Sequence, residues 1–510
     1  MMIGRSLTCQ LEGLKTGIVL VEAEILKGFP AFYIVGLAGT SVQESRDRIR
    51  SAFHSSKISL PPGKIIINLY PGSQRKTGSH WDLAIAMALL MSMGKVPEKE
   101  MKNSVFIGEL GLDGSLRAST GTLAMVLSLV GKKYSVFFPD SQKSQCASVR
   151  GVDLYPVKHF TQILEHFQGG RKIKKLVYQK PIEEENDFPL DYQELKGQKV
   201  LKRIMVIAAA GKHPTLLIGP PGVGKTMALS RLPSILLPLQ GNEKEEVALI
   251  RSLDDHAGLV SGEKLFSSKP PFRTPHYSLT VSGLTGGGNT WKPGELTLAH
   301  RGLLFFDELP LFSREVLDSL RGPMERKCLT LSRNHHLMTM PSEIMLVAAM
   351  NPCPCGYYGT KDHLCSCSAG EILRYRRKIS QALLDRFDII YDCPSVDWHQ
   401  NQEDQMSSMI MRGRVRDAFE REKCRNQPYQ FLTNHDLPDK VSEEAFLLDE
   451  NSRFILENLC RNYSLSARVR RAILKTARTI SDLEGEEKIH ENSIYEAFQY
   501  RKSALHFWAL

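Results

Sequence analysis

Residues Gly219-Pro220-Pro221-Gly222-Val223-Gly224-Lys225-Thr226 fill every fixed position of G-x-x-x-x-G-K-[ST]. In that pattern a glycine-rich turn lets backbone N–H groups cradle phosphate oxygens. The lysine reaches the β- and γ-phosphates, and the hydroxyl meets Mg²⁺. The flanking residues supply the elements that such a loop needs. Thr215-Leu216-Leu217-Ile218 is a short apolar run that reads as a buried strand, and Met227 to Leu232 has helical spacing. Strand, turn and helix N-terminus in that order aim amide dipoles at an anion. The chain is therefore expected to bind a nucleoside triphosphate, ATP with Mg²⁺, through Gly219 to Thr226.

A second group of residues lies further along. Leu303-Leu304-Phe305-Phe306 reads as a buried strand and ends in Asp307 and Glu308. Asp307 at the strand end suits Mg²⁺ held through water, and Glu308 suits polarisation of an attacking water. Ile344 to Met350 is a third apolar strand. It ends at Asn351, bringing a neutral hydrogen-bonding side chain to the same sheet edge. Taken by itself, an Asn after a strand also serves as a turn residue.

Cys353, Cys355, Cys365 and Cys367 form C-x-C-x9-C-x-C. Two closely spaced pairs of thiolates can surround one tetrahedral Zn²⁺, with His363 able to replace a ligand. The alternative is four reduced cysteines in a surface loop. Between the Asp307 and Asn351 strands, Leu329 to Ser332 and Leu337 to Met340 read as a hairpin around Arg333-Asn334-His335-His336. Facing the pore of a ring, Arg333 would touch a phosphate backbone without regard to sequence. An ordinary exposed turn accounts for the same residues, and the adjacent histidines read as surface polar groups.

The elements around these residues divide the 510-residue chain into about three domains. Residues 1–168 read as an α/β unit. Ile18 to Ile25 and Lys64 to Leu69 are strands, Val42 to Ser55 is a charged amphipathic helix, and Trp81-Asp82 opens a helix that runs to Met93. That helix is apolar nearly all round and is expected to be buried, with Asp82 at its positive end. Residues 169–189 carry a basic block, Arg171 to Lys175, then an acidic block, Glu183 to Asp187, and read as an exposed linker. Residues 190–395 alternate apolar strands with helical segments, the pattern of a parallel sheet with helices on its faces. Residues 396–510 read as a helical C-terminal domain.

Apolar content of 42% and charged content of 24% suit a soluble globular protein. The longest apolar stretch, Leu83 to Met93, falls well short of the roughly 20 residues that cross a bilayer. With no signal-peptide layout at the N-terminus, a cytoplasmic protein with no membrane partner is expected. The ten cysteines are scattered apart from the one cluster, which argues against a disulfide framework. The net charge of +10 agrees with a polyanion partner and equally with simple solubility.

Phosphate loop, Asp307-Glu308 strand and Asn351 strand, in this order, resemble an AAA+ ATPase. The resemblance implies sensor 1 at Asn351. Leu383-Leu384-Asp385-Arg386-Phe387-Asp388 is similar to the arginine-finger segment, and Ser466-Ala467-Arg468 to sensor 2. Arg386 would then enter the neighbouring subunit's site and stabilise charge on the transferring phosphoryl group. Pro271 to His276, Gly286-Gly287-Gly288, Pro293 to Leu296 and Ala348 to Gly356 resemble the magnesium-chelatase-like branch, and within it the bacterial ComM/YifB family. The similarity covers nearly the whole chain. It implies a homo-oligomeric ring, a hexamer, that works on single-stranded or branched DNA as a helicase or branch-migration motor. Tyr277 departs from the pattern, where a second His is expected after His276.

The N-terminal domain resembles the Lon protease C-terminal fold, a ribosomal-S5-like α/β domain, through Gly108 to Gly114 and Arg75 to Asp82. Alignment through Gly78 puts His80 at the protease serine, and alignment through Gly114 puts Leu123 at the lysine. Ser79 stands as a shifted nucleophile without a matched base, so a non-proteolytic scaffold is expected. The implied fold class is α/β: a Lon-like domain, a P-loop AAA+ core with a parallel sheet, and a C-terminal helical lid. Remodelling of a protein partner and a metal-chelatase motor are the alternative functions, because such motors share their nucleotide machinery.

Overall fold

The computed structural model describes residues 3–72, 76–180, 188–254, 262–287, 292–333, 336–360, 363–394, 406–429, 433–438, 440–441 and 445–506. Arg75, the acidic run Glu183 to Asp187, Gly288, Asn334 and His335 lie outside these, as do the side chains of Arg333 and His336.

The N-terminal unit is built on a seven-stranded mixed sheet. Its strands are β1 (Gly4–Glu12), β2 (Lys15–Leu26), β3 (Ala31–Val35), β4 (Lys64–Tyr70), β5 (Ser104–Phe106), β6 (Ser135–Pro139) and β7 (Asp153–Val157). They lie in the order β3-β4-β2-β1-β5-β6-β7. Alternation decides which face is covered: Val19, Val21 and Ala23 of β2 and Ile65, Ile67 and Leu69 of β4 are buried. They share one core with α1 (Ser45–Ser55) and α2 (Asp82–Ser92).

Helix α2 is buried from Asp82 to Met91, as its unbroken apolar surface requires. Asp82 does more than face the helix dipole. Arg48 of α1 grips its two oxygens at 2.6 and 3.0 Å, and the Leu110 N–H donates to it at 3.1 Å. Burial pushes the Asp82 carboxyl pKa up and the Arg48 guanidinium opposes that shift. Removing Arg48 would strand a buried carboxylate, at a cost of about 3–5 kcal/mol.

Residues 173–179 of the expected linker pack on the N-terminal unit. Leu176 N–H donates to Leu154 O at 2.7 Å and Gln179 N–H to Ala147 O at 2.8 Å, so this stretch runs along β7. Ile173 and Leu176 pack against the two N-terminal cores, Lys175 pairs with Asp153, and Tyr178 lies under Arg150.

The second unit holds β8 (Thr215–Ile218), β9 (Phe272–Arg273), β10 (Leu303–Phe306), the hairpin β11 (Cys328–Arg333) and β12 (His336–Pro341), β13 (Met345–Met350) and β14 (Ile389–Asp392). Five of these form an all-parallel sheet in the order β9-β10-β13-β8-β14. Strands β8, β10 and β13 read as nearly continuous apolar runs because both their faces are covered. Leu217, Phe305 and Val347 face α3 (Lys199–Gly211) and the C-terminal helices, while Leu216, Leu304 and Leu346 face Val316, Leu317 and Leu383.

The C-terminal region is helical: α7 (Ser408–Asn426), α8 (Glu450–Asn462), α9 (Ala467–Glu484) and α10 (Glu491–His506), following α4 (Lys225–Arg231), α5 (Asn242–Ser252) and α6 (Ala369–Arg376) of the core. Met411, Val415, Ile473 and Ala477 carry the core onto these helices. A polar seam runs beside them. His213 and His435 both place Nδ1 against Asp388 Oδ2, at 2.8 and 2.7 Å, and His213 Nε2 meets Thr479 Oγ1 at 2.8 Å. Burial opposes ionisation of Asp388, yet His435 and His213 hold its carboxyl far below the usual range. Among the described residues no helix is long and apolar enough to cross a membrane.

Among the described residues, two hydrophobic clusters join the units. Ala248, Leu265 and Phe266 join the cluster of Leu123, Met125 and Phe138. At the hairpin, Leu329, Met338 and Met340 pack with Leu14 of the β1–β2 turn.

Candidate nucleotide site

A parallel sheet collects the residues that follow its strands at one edge, and here that edge carries the chemistry. Gly219 follows β8, Asp307 and Glu308 follow β10, Asn351 follows β13, and Asp392 and Cys393 close β14. Gly219 must be glycine, since a Cβ there would lie 2.8 Å from the Cys393 carbonyl oxygen. Gly222 and Gly224 hold φ of +82° and +88°, which turns the loop into the N-terminus of α4.

Lys225 is buried at the head of α4. Its Nζ donates to Gly219 O and Pro220 O at 2.7 Å each and to Asn351 Oδ1 at 3.2 Å, which uses all three of its protons. Burial pushes its pKa down, and the negative charges of Asp307, Glu308 and Asp392 are among those pulling the other way. A polyphosphate would supply the anion that this desolvated ammonium favours.

The Thr226 hydroxyl donates to Asp307 Oδ1 at 3.2 Å. Octahedral Mg²⁺ with bonds of 2.0–2.1 Å places adjacent oxygens about 2.9 Å apart, so this hard-oxygen pair fits the metal after a small adjustment. Glu308 is exposed and held at φ +51°. A left-handed conformation at a non-glycine residue costs on the order of 1–3 kcal/mol and persists where the surroundings enforce it. Tyr375 of α6 is half-buried beside the Asn351 backbone, and burial pushes its phenol up in pKa.

The sequence-expected residues fall into two groups. Lys225, Thr226, Asp307, Glu308 and Asn351 come together at the sheet edge. Arg386 and Arg468 meet elsewhere: both donate to Glu325 Oε1, at 2.6 and 2.9 Å, and Arg386 Nε donates to Arg321 O at 3.1 Å. Among the described residues these guanidinium groups contact Glu325, Arg321 and Ala382 rather than the phosphate loop. Sequence reasoning missed Glu325, Tyr375 and Arg376. Only an acidic residue on a helical stretch marked Glu325, and that signal is common on any surface.

The four cysteine sulfurs lie within 4.8 Å of one another. His363 is exposed and tilts against Tyr357, apart from the sulfur group. In the N-terminal unit His80 is buried, donates from Nε2 to Cys9 O at 2.8 Å and packs on Trp81. Leu123 sits in the core beside Met125. Neither side chain is arranged as a nucleophile or its base.

The parallel sheet, its phosphate loop, the strand-end carboxylates and the strand-end asparagine define a P-loop ATPase core of the AAA+ type. Residues 191–401 match the family model for magnesium chelatase, subunit ChlI; residues 21–142 match subunit ChlI of Mg-chelatase; and residues 405–501 match the subunit ChlI C-terminal model. The chain belongs to the ComM/YifB family of magnesium-chelatase-like AAA+ ATPases. It is 33% identical over 497 residues to competence protein ComM of Haemophilus influenzae, covering 96% of this chain and 95% of that protein. It is 34% identical over 491 residues to YifB of Salmonella typhimurium, covering 95% and 94%. The magnesium-chelatase 38 kDa subunit of Cereibacter sphaeroides is 25% identical over 177 residues, 32% of this chain and 53% of that subunit.

Proposed function

We propose that the protein is a cytoplasmic ring ATPase, a hexamer, that hydrolyses ATP to move along or remodel DNA and promotes branch migration in recombination or natural transformation. The observation that carries this reading is the convergence of Lys225, Thr226, Asp307, Glu308 and Asn351 at one sheet edge, with Arg386 and Arg468 gathered on Glu325 away from it. One chain thus holds both halves of a site that two neighbours complete.

Lys225 and the loop amides bind the phosphates, and Thr226 and Asp307 hold Mg²⁺, which neutralises phosphate charge. Glu308 accepts a proton from the attacking water, and Asn351 orients that water beside the terminal phosphate. Arg386 of the adjacent subunit, with Arg468, stabilises the charge that spreads over the transferring group. The N-terminal unit serves as a Lon-like scaffold without peptidase chemistry, a reading that the buried His80 and Leu123 support.

The similarity to a relative named a competence protein, along nearly the full chain, favours work on DNA. The rival chelatase motor draws on the chelatase family models, but the individual chelatase subunits match only 41% and 32% of the chain. The test is ATPase activity measured alone and with single-stranded, duplex and branched DNA. Stimulation by branched or single-stranded DNA that fades as salt rises supports the proposal. Absence of both binding and stimulation at moderate salt favours a protein substrate.

A further inference from the structure

We infer that Cys353, Cys355, Cys365 and Cys367 hold one Zn²⁺ that clamps the phosphate loop and Asn351 in place, so that nucleotide binding depends on the metal. The inference rests on the reading of the sheet edge as an ATP site.

The sulfurs have the spacing of a metal shell. Cys353 Sγ lies 3.3 Å from Cys355 Sγ and 3.7 Å from Cys365 Sγ, and the last two are 3.5 Å apart. Tetrahedral Zn²⁺ with bonds of about 2.3 Å sets its sulfurs about 3.8 Å apart. A disulfide requires about 2.05 Å, so these are separate sulfurs closing on a common centre. Backbone N–H groups also point at them: Tyr358 N–H donates to Cys353 Sγ at 3.3 Å and Cys355 N–H to Cys367 Sγ at 3.4 Å. Such bonds satisfy the lone pairs that a metal leaves free and orient the ligands.

The same turn presses on the nucleotide site. Cys353 is buried and stands two residues beyond Asn351, whose Oδ1 accepts from Lys225 at 3.2 Å. Gly356, directly after Cys355, has φ +89°, and a Cβ there would lie 2.7 Å from Cδ of Pro221 in the phosphate loop. Arg376 completes the brace. Its Nε donates to Pro352 O at 3.1 Å, and its guanidinium lies 4.9 Å from the centre of the Tyr358 ring. A cation joining the two cysteine pairs closes the intervening loop and holds Pro352 to Gly356 against Pro221. Without it, four sulfurs and their weak hydrogen bonds must offset the entropy of that loop.

The experiment uses full-length protein, with zinc counted by elemental analysis and nucleotide affinity read from a fluorescent ATP analogue. Protein purified without chelator should carry about one Zn²⁺ per chain. Stripping the metal, or Cys365→Ser with Cys367→Ser, should weaken nucleotide binding by about tenfold, and returning Zn²⁺ to the stripped wild type should restore it. Gly356→Ala should keep its zinc yet bind nucleotide more weakly, because its thiolates are intact and only the contact with Pro221 is disturbed. Wild type without zinc, or stripped protein that binds nucleotide as tightly as loaded protein, would overturn the inference. Loaded protein that binds no nucleotide would overturn the ATP reading and the coupling with it, while leaving the zinc count standing.

Discussion

Arg386 and Arg468 share a single carboxylate oxygen, Glu325 Oε1, at 2.6 and 2.9 Å. Arg386 follows a short helical turn of the core, and Arg468 stands on α9 of the C-terminal helices. Burial lowers the Arg386 pKa, and the neighbouring positive charges of Arg468 and Arg321 add to that while Glu325 opposes it. The carboxylate therefore holds together two cations that would otherwise repel. Of the two bonds, the one from Arg468 ties the C-terminal helices to the core.

Arg386→Ala should lower ATP hydrolysis by about 1,000-fold while changing nucleotide affinity little, since an arginine finger acts on the transition state. Mixing it with Lys225→Ala subunits should recover part of the activity, because some interfaces then combine an intact phosphate loop with an intact Arg386. Glu325→Ala should lower hydrolysis less, by loosening both arginines. Normal turnover by Arg386→Ala in steady-state assays would contradict a shared site.

Lys225→Ala should weaken nucleotide binding, whereas Glu308→Gln should bind nearly as well as wild type and fail to turn over. In the proposed site Lys225 holds phosphate and Glu308 handles water. Binding titrations beside phosphate-release assays separate the two, and a Glu308→Gln variant that turns over normally would remove the role given to that carboxylate.

The phosphate loop was legible because its chemistry demands fixed residue types at fixed spacing, and the two later strands because both their faces are buried. Long-range charge pairing leaves no local pattern, so Glu325 was not legible. The segment along β7 was read as a linker because Lys172, Lys174 and Lys175 dilute the apolar signal of Ile173, Leu176 and Tyr178. The cysteine spacing showed in the sequence, but the contact of Gly356 with Pro221 depends on how β8 and β13 lie side by side. His213, Asp388 and His435 come from three distant stretches that only the fold unites.

His80 gives a pH dependence with a definite sign. Burial lowers its pKa from 6.5 to about 4, although the hydrogen bond to Cys9 O opposes the shift. The unfolded chain binds the proton first, so the stability present above pH 6.5 is lost as pH falls towards 4. At about 1.4 kcal/mol per pH unit that gap amounts to about 3 kcal/mol. Protection factors of peptides spanning α2, with intrinsic exchange rates corrected for pH, should fall over this range in the wild type. In His80→Gln the change should be flatter; an identical pH response would show that another group titrates.

Arg333 ends β11 at the hairpin turn, and the hairpin's base is anchored on Leu14. Arg333→Ala should reduce DNA-stimulated ATPase activity more than basal activity, and to the same degree for DNAs of different sequence, since phosphate contacts carry no base information. Equal loss of basal and stimulated rates would place its effect in folding or assembly.

The most direct measurement is ATP-dependent movement of a labelled branched DNA junction by wild type and by Glu308→Gln. The expected result is conversion of the junction to its migrated products by wild type with ATP, and none by Glu308→Gln or with a non-hydrolysable analogue. A junction left unchanged while the wild type hydrolyses ATP in its presence would contradict the claim that this ATPase moves DNA.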